Sequence, residues 1–248
     1  QKPDYAGNSG YATFFETPKT FPGRMKEEAR QRDLLGTIRP SKPWLNGLPR
    51  TLFVSDMGDA LSKDIHFSFL HSEIVETVNS PHGQKHLWFW LTKRPKRMAE
   101  FADWLRVDQS TEWPDNLVAM TSVTGRATLS RVENLRRVPA RFRGLSVEPL
   151  REDVHLSLDG IDWVIAGGES GSGAHPFDLA WARSLRDQCR DAGAAFFLKQ
   201  LGSQAVDHGF VFPLKDSHGG NWAEWPSDLR VRDLPDGFYQ ITTAVLPS

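Results

Sequence analysis

From Thr51 onward, short apolar runs recur along the chain: TLFVS (Thr51–Ser55), LWFWLT (Leu87–Thr92), LVAMTS (Leu117–Ser122), GLSVE (Gly144–Glu148), WVIAG (Trp163–Gly167) and AFFLKQ (Ala195–Gln200). None alternates apolar with polar positions, the pattern of strands buried on both faces of a parallel sheet. Helical periodicity fills several intervals. After Asp64, Phe67, Leu70, Ile74, Val75 and Val78 fall on one helical face; Met98, Phe101 and Leu105 form another, and Leu129, Val132 and Leu135 a third. Asp178 is placed to cap a helix carrying Leu179, Ala182, Leu185 and Cys189, with Gly193 just past its end. Strand and helix alternate, so the fold class is α/β.

The rhythm is confined to residues 51–202. Residues 1–50 are broken by Pro3, Pro18, Pro22, Pro40, Pro43 and Pro49, with a charged helix expected only over Arg24–Leu35. Residues 203–248 read as a loop-rich tail containing Trp222 and Trp225. Together the 248 residues are expected to form a single domain of lead-in, β/α core and tail.

Each run ends in a polar residue: Asp56, Thr92, Ser122, Glu148, Glu169 and Gln200. In a β/α barrel the loops after all strands build one site, whereas an open doubly wound sheet needs polar ends only at its switch point. The pattern predicts a complete or partial (β/α) TIM-type barrel with at least six parallel strands.

Composition narrows the function. A net charge of −1 gives no global attraction to nucleic acid, and no run is long enough to span a membrane. Without a charged-then-apolar leader, a cytoplasmic protein is expected. The single cysteine, Cys189, excludes a disulfide framework and any cysteine-based metal site built by this chain alone. His66, His71, His82 and His86 lack zinc-ligand spacing, and Trp88, Trp90 and Trp163 sit in expected strands as core.

Chemistry gathers at the strand ends. In WVIAGGESGSG, Gly167 and Gly168 allow close approach of a ligand, and Glu169 and Ser170 offer polar contacts; the alternative is a tight turn whose Glu169 caps the next helix. The segment is not a G-x-G-x-x-G fingerprint. In LTKRPKR, Lys93 and Arg94 suit phosphate or carboxylate recognition, while Lys96 and Arg97 read as solvated. Asp56 and Asp59 offer carboxylates, with Asp59 equally suited to capping a turn. Glu148 is a candidate hydrogen-bond acceptor or acid/base, equally explained by an ion pair with the basic cluster; Lys199 is a candidate counter-ion for Glu148 or Glu169, and Ser122 and Gln200 complete the set. A helix from Arg126 to Arg143, with six arginines, reads as a nucleic-acid contact or, preferably, a solvated outer face.

In order and spacing, FVSDMGDALS, LTKRP, LSVEP, WVIAGGESG and FFLKQLG resemble the phage-associated three-Cys-motif protein family, over roughly Leu52 to Gly202. Members are similar to divergent radical S-adenosylmethionine proteins, in which three cysteines hold a [4Fe–4S] cluster. The resemblance implies reductive cleavage of S-adenosylmethionine to a 5′-deoxyadenosyl radical inside the barrel. It implies cofactor contacts from Gly167, Gly168, Glu169 and Ser170, catalytic roles for Glu148 and Lys199, and substrate contacts from Asp56, Lys93, Arg94, Ser122 and Gln200. The cysteine motif is absent here. Since Gln1 is not a natural start, either the motif precedes residue 1 or it has been lost.

Three expectations follow. The first is a radical enzyme acting on a nucleic acid or nucleotide. The second is a cluster-free binder of phosphorylated ligand or nucleic acid. The third, a metal-dependent hydrolase using Asp56, Asp59 and Glu148, is disfavoured because no histidine lies near those strand ends.

Overall fold

The computed structural model describes residues 20–54 and 58–240; Asp56, one of the expected site residues, lies outside them. Six parallel strands form the main sheet: β1 (Arg50–Phe53), β2 (His86–Thr92), β3 (Leu117–Ser122), β4 (Arg143–Val147), β5 (Trp163–Gly167) and β7 (Ala195–Gln200). Each pairs with the next of these in the chain, with no reversal of order. A sheet wound in one direction by right-handed crossovers carries all its helices on one face and curls away from them. The result is a six-stranded, curled half-barrel. The expected barrel is therefore a partial one among the described residues.

The helices line the convex face. They are α1 (Arg24–Ala29), then α2 (Phe67–Leu70) continuing through a π-helical stretch (His71–Val75) into α3 (Glu76–Asn79), α4 (Pro95–Asp108), α5 (Ser130–Arg136) and α6 (Leu179–Ala192). Leu70, Ile74, Phe101, Leu105, Leu135, Leu179 and Leu185 pack there against Trp88, Trp90, Ala119, Leu145, Val164 and Leu198. The Asp178 side chain accepts from Ala180 N at 2.9 Å, and Gly193 takes the left-handed C-cap, both as the sequence predicts. A short second sheet joins β6 (Phe177–Asp178) to the hairpin of β8 (Ala205–Asp207) and β9 (Phe210–Val211).

Two expected helices are shorter than their sequence suggests. The Arg24–Leu35 stretch is helical only to Ala29, its single buried residue; so short and charged a helix survives only where packing holds it. Glu73 supplies that hold by accepting from Gly23 N at 2.8 Å and Met25 N at 2.9 Å. The arginine-rich stretch is a 3₁₀ turn (Arg126–Thr128) followed by α5, which Pro139 prevents from extending toward β4.

On the concave face the lead-in and the tail supply a second core. Leu48 and Phe238 meet Leu87, Phe89, Val118, Met120, Phe142 and Trp163. The Phe238 ring lies 5.0 Å from Phe142, 5.5 Å from Trp163 and 6.0 Å from Phe89. Gly237 has no room for a side chain, because a Cβ there would come within 2.4 Å of the Phe142 ring. The tail also seals the β7 edge: Leu198 N donates to Val231 O, and Asp233 N to Phe196 O, each at 2.9 Å.

Candidate functional site at the half-barrel mouth

Register decides which strand-end residues share the concave face. Met120 aligns with Gly144 and Ser122 with Ser146; Gly144 aligns with Trp163 and Ser146 with Ile165; Trp163 aligns with Ala195 and Ile165 with Phe197. Since side chains alternate, Ser122, Ser146, Glu148, Gly167 and Lys199 all lie on the face that carries Phe89 and Trp163. The lower part of this trough is filled by the aromatic core. The upper part, at the C-terminal strand ends, is polar.

There the Lys199 ammonium donates to both oxygens of Glu148, at 2.9 and 3.1 Å. The carboxylate is largely buried, at 19% exposure, while the lysine is 55% exposed. A substrate anion can therefore draw Lys199 away and leave Glu148 free to accept a proton. Buried Ser122 and Ser146 add hydroxyls beside the pair. Gly167 leaves space for this arrangement, since a Cβ there would meet the Glu148 carboxyl at 3.3 Å.

The other strand-end residues are committed to joining loops. A Cβ on Gly168 would lie 2.2 Å from Leu201 O, so this glycine is required by the close approach of the β7 loop. Gln200 donates its side-chain amide to Gly168 O at 2.9 Å. Glu169 accepts from His175 Nδ1 at 2.8 Å and pairs with Arg151 at 3.0 Å. The His175 hydrogen bonds, and then the Arg151 charge, hold its carboxyl below the ordinary value. Ser170 is exposed on the same loop. Asp59 accepts from Thr92 Oγ1 and ion-pairs with Arg94 at 3.0 Å, clamping the loops after β1 and β2. Sequence reasoning missed Arg151 and His175. Their only trace is position, three residues after Glu148 and six after Glu169.

Arg232 was missed as well. Its guanidinium stacks 4.2 Å from the Trp44 ring and 4.9 Å from Trp225, and its Nη2 donates to Lys199 O at 3.0 Å. It holds the backbone that carries Lys199 and ties together lead-in, strand and tail.

Outside the trough, Lys93, Arg94, Lys96, Arg97 and Arg131 line an open groove of about 360 Å³ between the start of α4 and α5. Arg131 also donates from Nη1 to Ser122 O at 2.8 Å, and most of the other arginines of the 126–143 stretch are spent on structure. Arg136 pairs with Glu133 and donates to Asp159 O, Arg126 is 3.6 Å from Glu152, and Arg143 donates to Val138 O.

A motif set spread over most of the chain points to a family, and one matches. Residues 11–229 fit the family described as a protein of unknown function, DUF5131. The chain belongs to that family. No curated protein and no solved structure matches it.

The residues of this DUF5131 chain do not fit an iron–sulfur cluster. The one thiol, Cys189, is buried among the convex-side helices, where desolvation pushes its pKa up to about 12. A cluster needs thiolates. Among the described residues no group of three His, Cys, Asp or Glu side chains is placed to hold a metal. No helix among them is long and apolar enough to cross a membrane.

Proposed function

We propose that the protein is an enzyme whose substrate lies in the half-barrel trough, a nucleotide or nucleic acid held at the strand ends in the manner of radical S-adenosylmethionine-type proteins. The observation that carries this reading is the convergence of Ser122, Ser146, Glu148 and Lys199 on the concave face of a sheet wound in strict chain order. Lys199 binds an anionic group of the substrate, and Glu148, released from it, accepts or returns a proton; Ser122 and Ser146 orient polar atoms of the substrate. The aromatic floor of Phe89 and Trp163 keeps water from below. Radical chemistry would further require a cluster held by thiolates, and the 248 residues contain one cysteine.

Anaerobic iron and sulfide analysis, with a visible spectrum, of the protein produced from the gene's own start codon tests the radical reading. About four irons per chain, bleached by dithionite, would support that reading. A colourless, iron-free protein after anaerobic reconstitution overturns it.

A second reading, a cluster-free binder of phosphorylated ligands or nucleic acid, is favoured by the basic groove beside the trough. It predicts oligonucleotide binding that weakens steeply with salt and does not respond to iron.

A further inference from the structure

The basic groove does not stop at α4. A second open groove, of about 380 Å³, is lined by Lys63, Ile65, His66, Phe67, Ser68 and Trp104, and it shares Arg97 with the first. The two meet at Arg97 and form one track, from the loop after β1 and the cleft between α2 and α4, over the start of α4, to α5. We propose that this track binds single-stranded nucleic acid, with Lys93, Lys96 and Arg131 on phosphates and Phe67 and Trp104 supporting stacked bases.

Charge is the first support. Among the described residues Lys63, Lys93, Lys96, Arg97 and Arg131 have no carboxylate within ion-pair distance. On α6, by contrast, Arg183, Arg186 and Arg190 are each paired with aspartates. Of the carboxylates near the track, Asp59 is neutralised by Arg94, and Glu100 lines the groove facing several cations. The cations left over line two grooves that share Arg97.

Aromatic interleaving is the second support, and it separates a nucleic acid from an acidic peptide. Phe67 and Trp104 are both half-buried, with ring centroids 5.9 Å apart. Between the grooves Arg97 stacks 4.6 Å from the Phe67 centroid and donates from Nη2 to Ile65 O at 2.7 Å. Its Nε is buried without a partner. A guanidinium held over an aromatic ring keeps its charge at the junction of the two grooves. Exposed bases can use such rings; the stacked interior of a duplex cannot. Lys93 directly follows β2, so the first groove begins at the strand ends. The inference rests on nucleic acid being the ligand, and not on radical chemistry.

Fluorescence anisotropy with labelled twelve-nucleotide oligothymidylate and oligouridylate, and with a duplex of equal length, tests it across a sodium chloride series. Both single strands should bind more tightly than the duplex; a preference between them would tell DNA from RNA. Lys93→Ala and Lys96→Ala, both on exposed side chains, should each weaken single-strand binding about fourfold at 0.15 M salt and lower the salt slope by about 0.7. Phe67→Leu, which retains packing, should cost about tenfold with little change in slope. Arg190→Ala, on the paired face, should change neither.

Duplex binding equal to or tighter than single-strand binding would overturn the proposal. So would unchanged affinity in both lysine variants, or a polyglutamate peptide that competes as well as the oligonucleotide. Iron-free protein that binds the single strands would remove the radical reading alone. Iron-loaded protein that fails to bind them would remove this inference alone.

Discussion

Phe238→Ala tests whether the tail is part of the core or merely lies on it. Phe238 is fully buried and touches three aromatic rings on the concave face. Truncation to alanine returns about 120 Å² of apolar burial, about 3 kcal/mol at about 25 cal/mol per Å². A cavity that the rigid rings around it cannot close adds about 1–2 kcal/mol, for a total of about 4–5 kcal/mol. Urea unfolding followed by tryptophan fluorescence is the assay, since Trp163 packs on Phe238. With a slope of about 3 kcal/mol per M, the midpoint should fall by about 1.3–1.7 M with the slope unchanged. A loss below about 1 kcal/mol would refute the reasoning, because a ring so enclosed cannot be removed cheaply if the tail plugs the trough.

Other outcomes follow from single contacts. Gly168→Ala drives a Cβ against Leu201 O and should destabilise by more than about 2 kcal/mol, whereas Ala at Gly171, where nothing crowds the Cβ, should cost about 1 kcal/mol from backbone strain alone; paired urea curves check the difference. The Glu169 pKa is lowered in the folded state, so its stabilising contribution is complete above the ordinary carboxylate range and is lost as pH falls through the folded value; the midpoint gap between wild type and Glu169→Gln should be largest near neutrality and close on acidification. The Cys189 thiol, buried and pushed up to about 12, should resist a thiol-specific disulfide reagent at pH 8 in the native protein and react at once in denaturant.

All six sheet strands were legible in the sequence as uninterrupted apolar runs, although burial on both faces explains this only for β2 to β5, β1 and β7 being partly exposed. The ends of β3, β5 and β7 coincide with those runs. The helices were legible where one face is buried, and misjudged over Arg24–Leu35 and Arg126–Arg143, where charge density looked helical without packing to support it. The concave core escaped notice because Leu48 and Phe238 lie outside the rhythmic region and meet only in three dimensions. Within the site, strand-end position singled out Glu148 and Lys199 but left the lysine's partner open between Glu148 and Glu169; the structure pairs it with Glu148. It could not show that Gln200 and Glu169 bind neighbouring loops, nor that Arg97, read as solvated, joins two grooves.

Each sheet strand pairs with the next one the ribosome delivers, so the sheet can assemble in the order of its synthesis. The trough cannot. Its lining of Phe89, Val118 and Trp163 is complete once β5 exists, yet its cover arrives only with Leu234 and Phe238. At about 5–20 residues per second, a greasy channel stands open for several seconds on every nascent chain. That interval, more than the stability of the finished fold, is where chaperone demand and aggregation of a newly made chain would be decided.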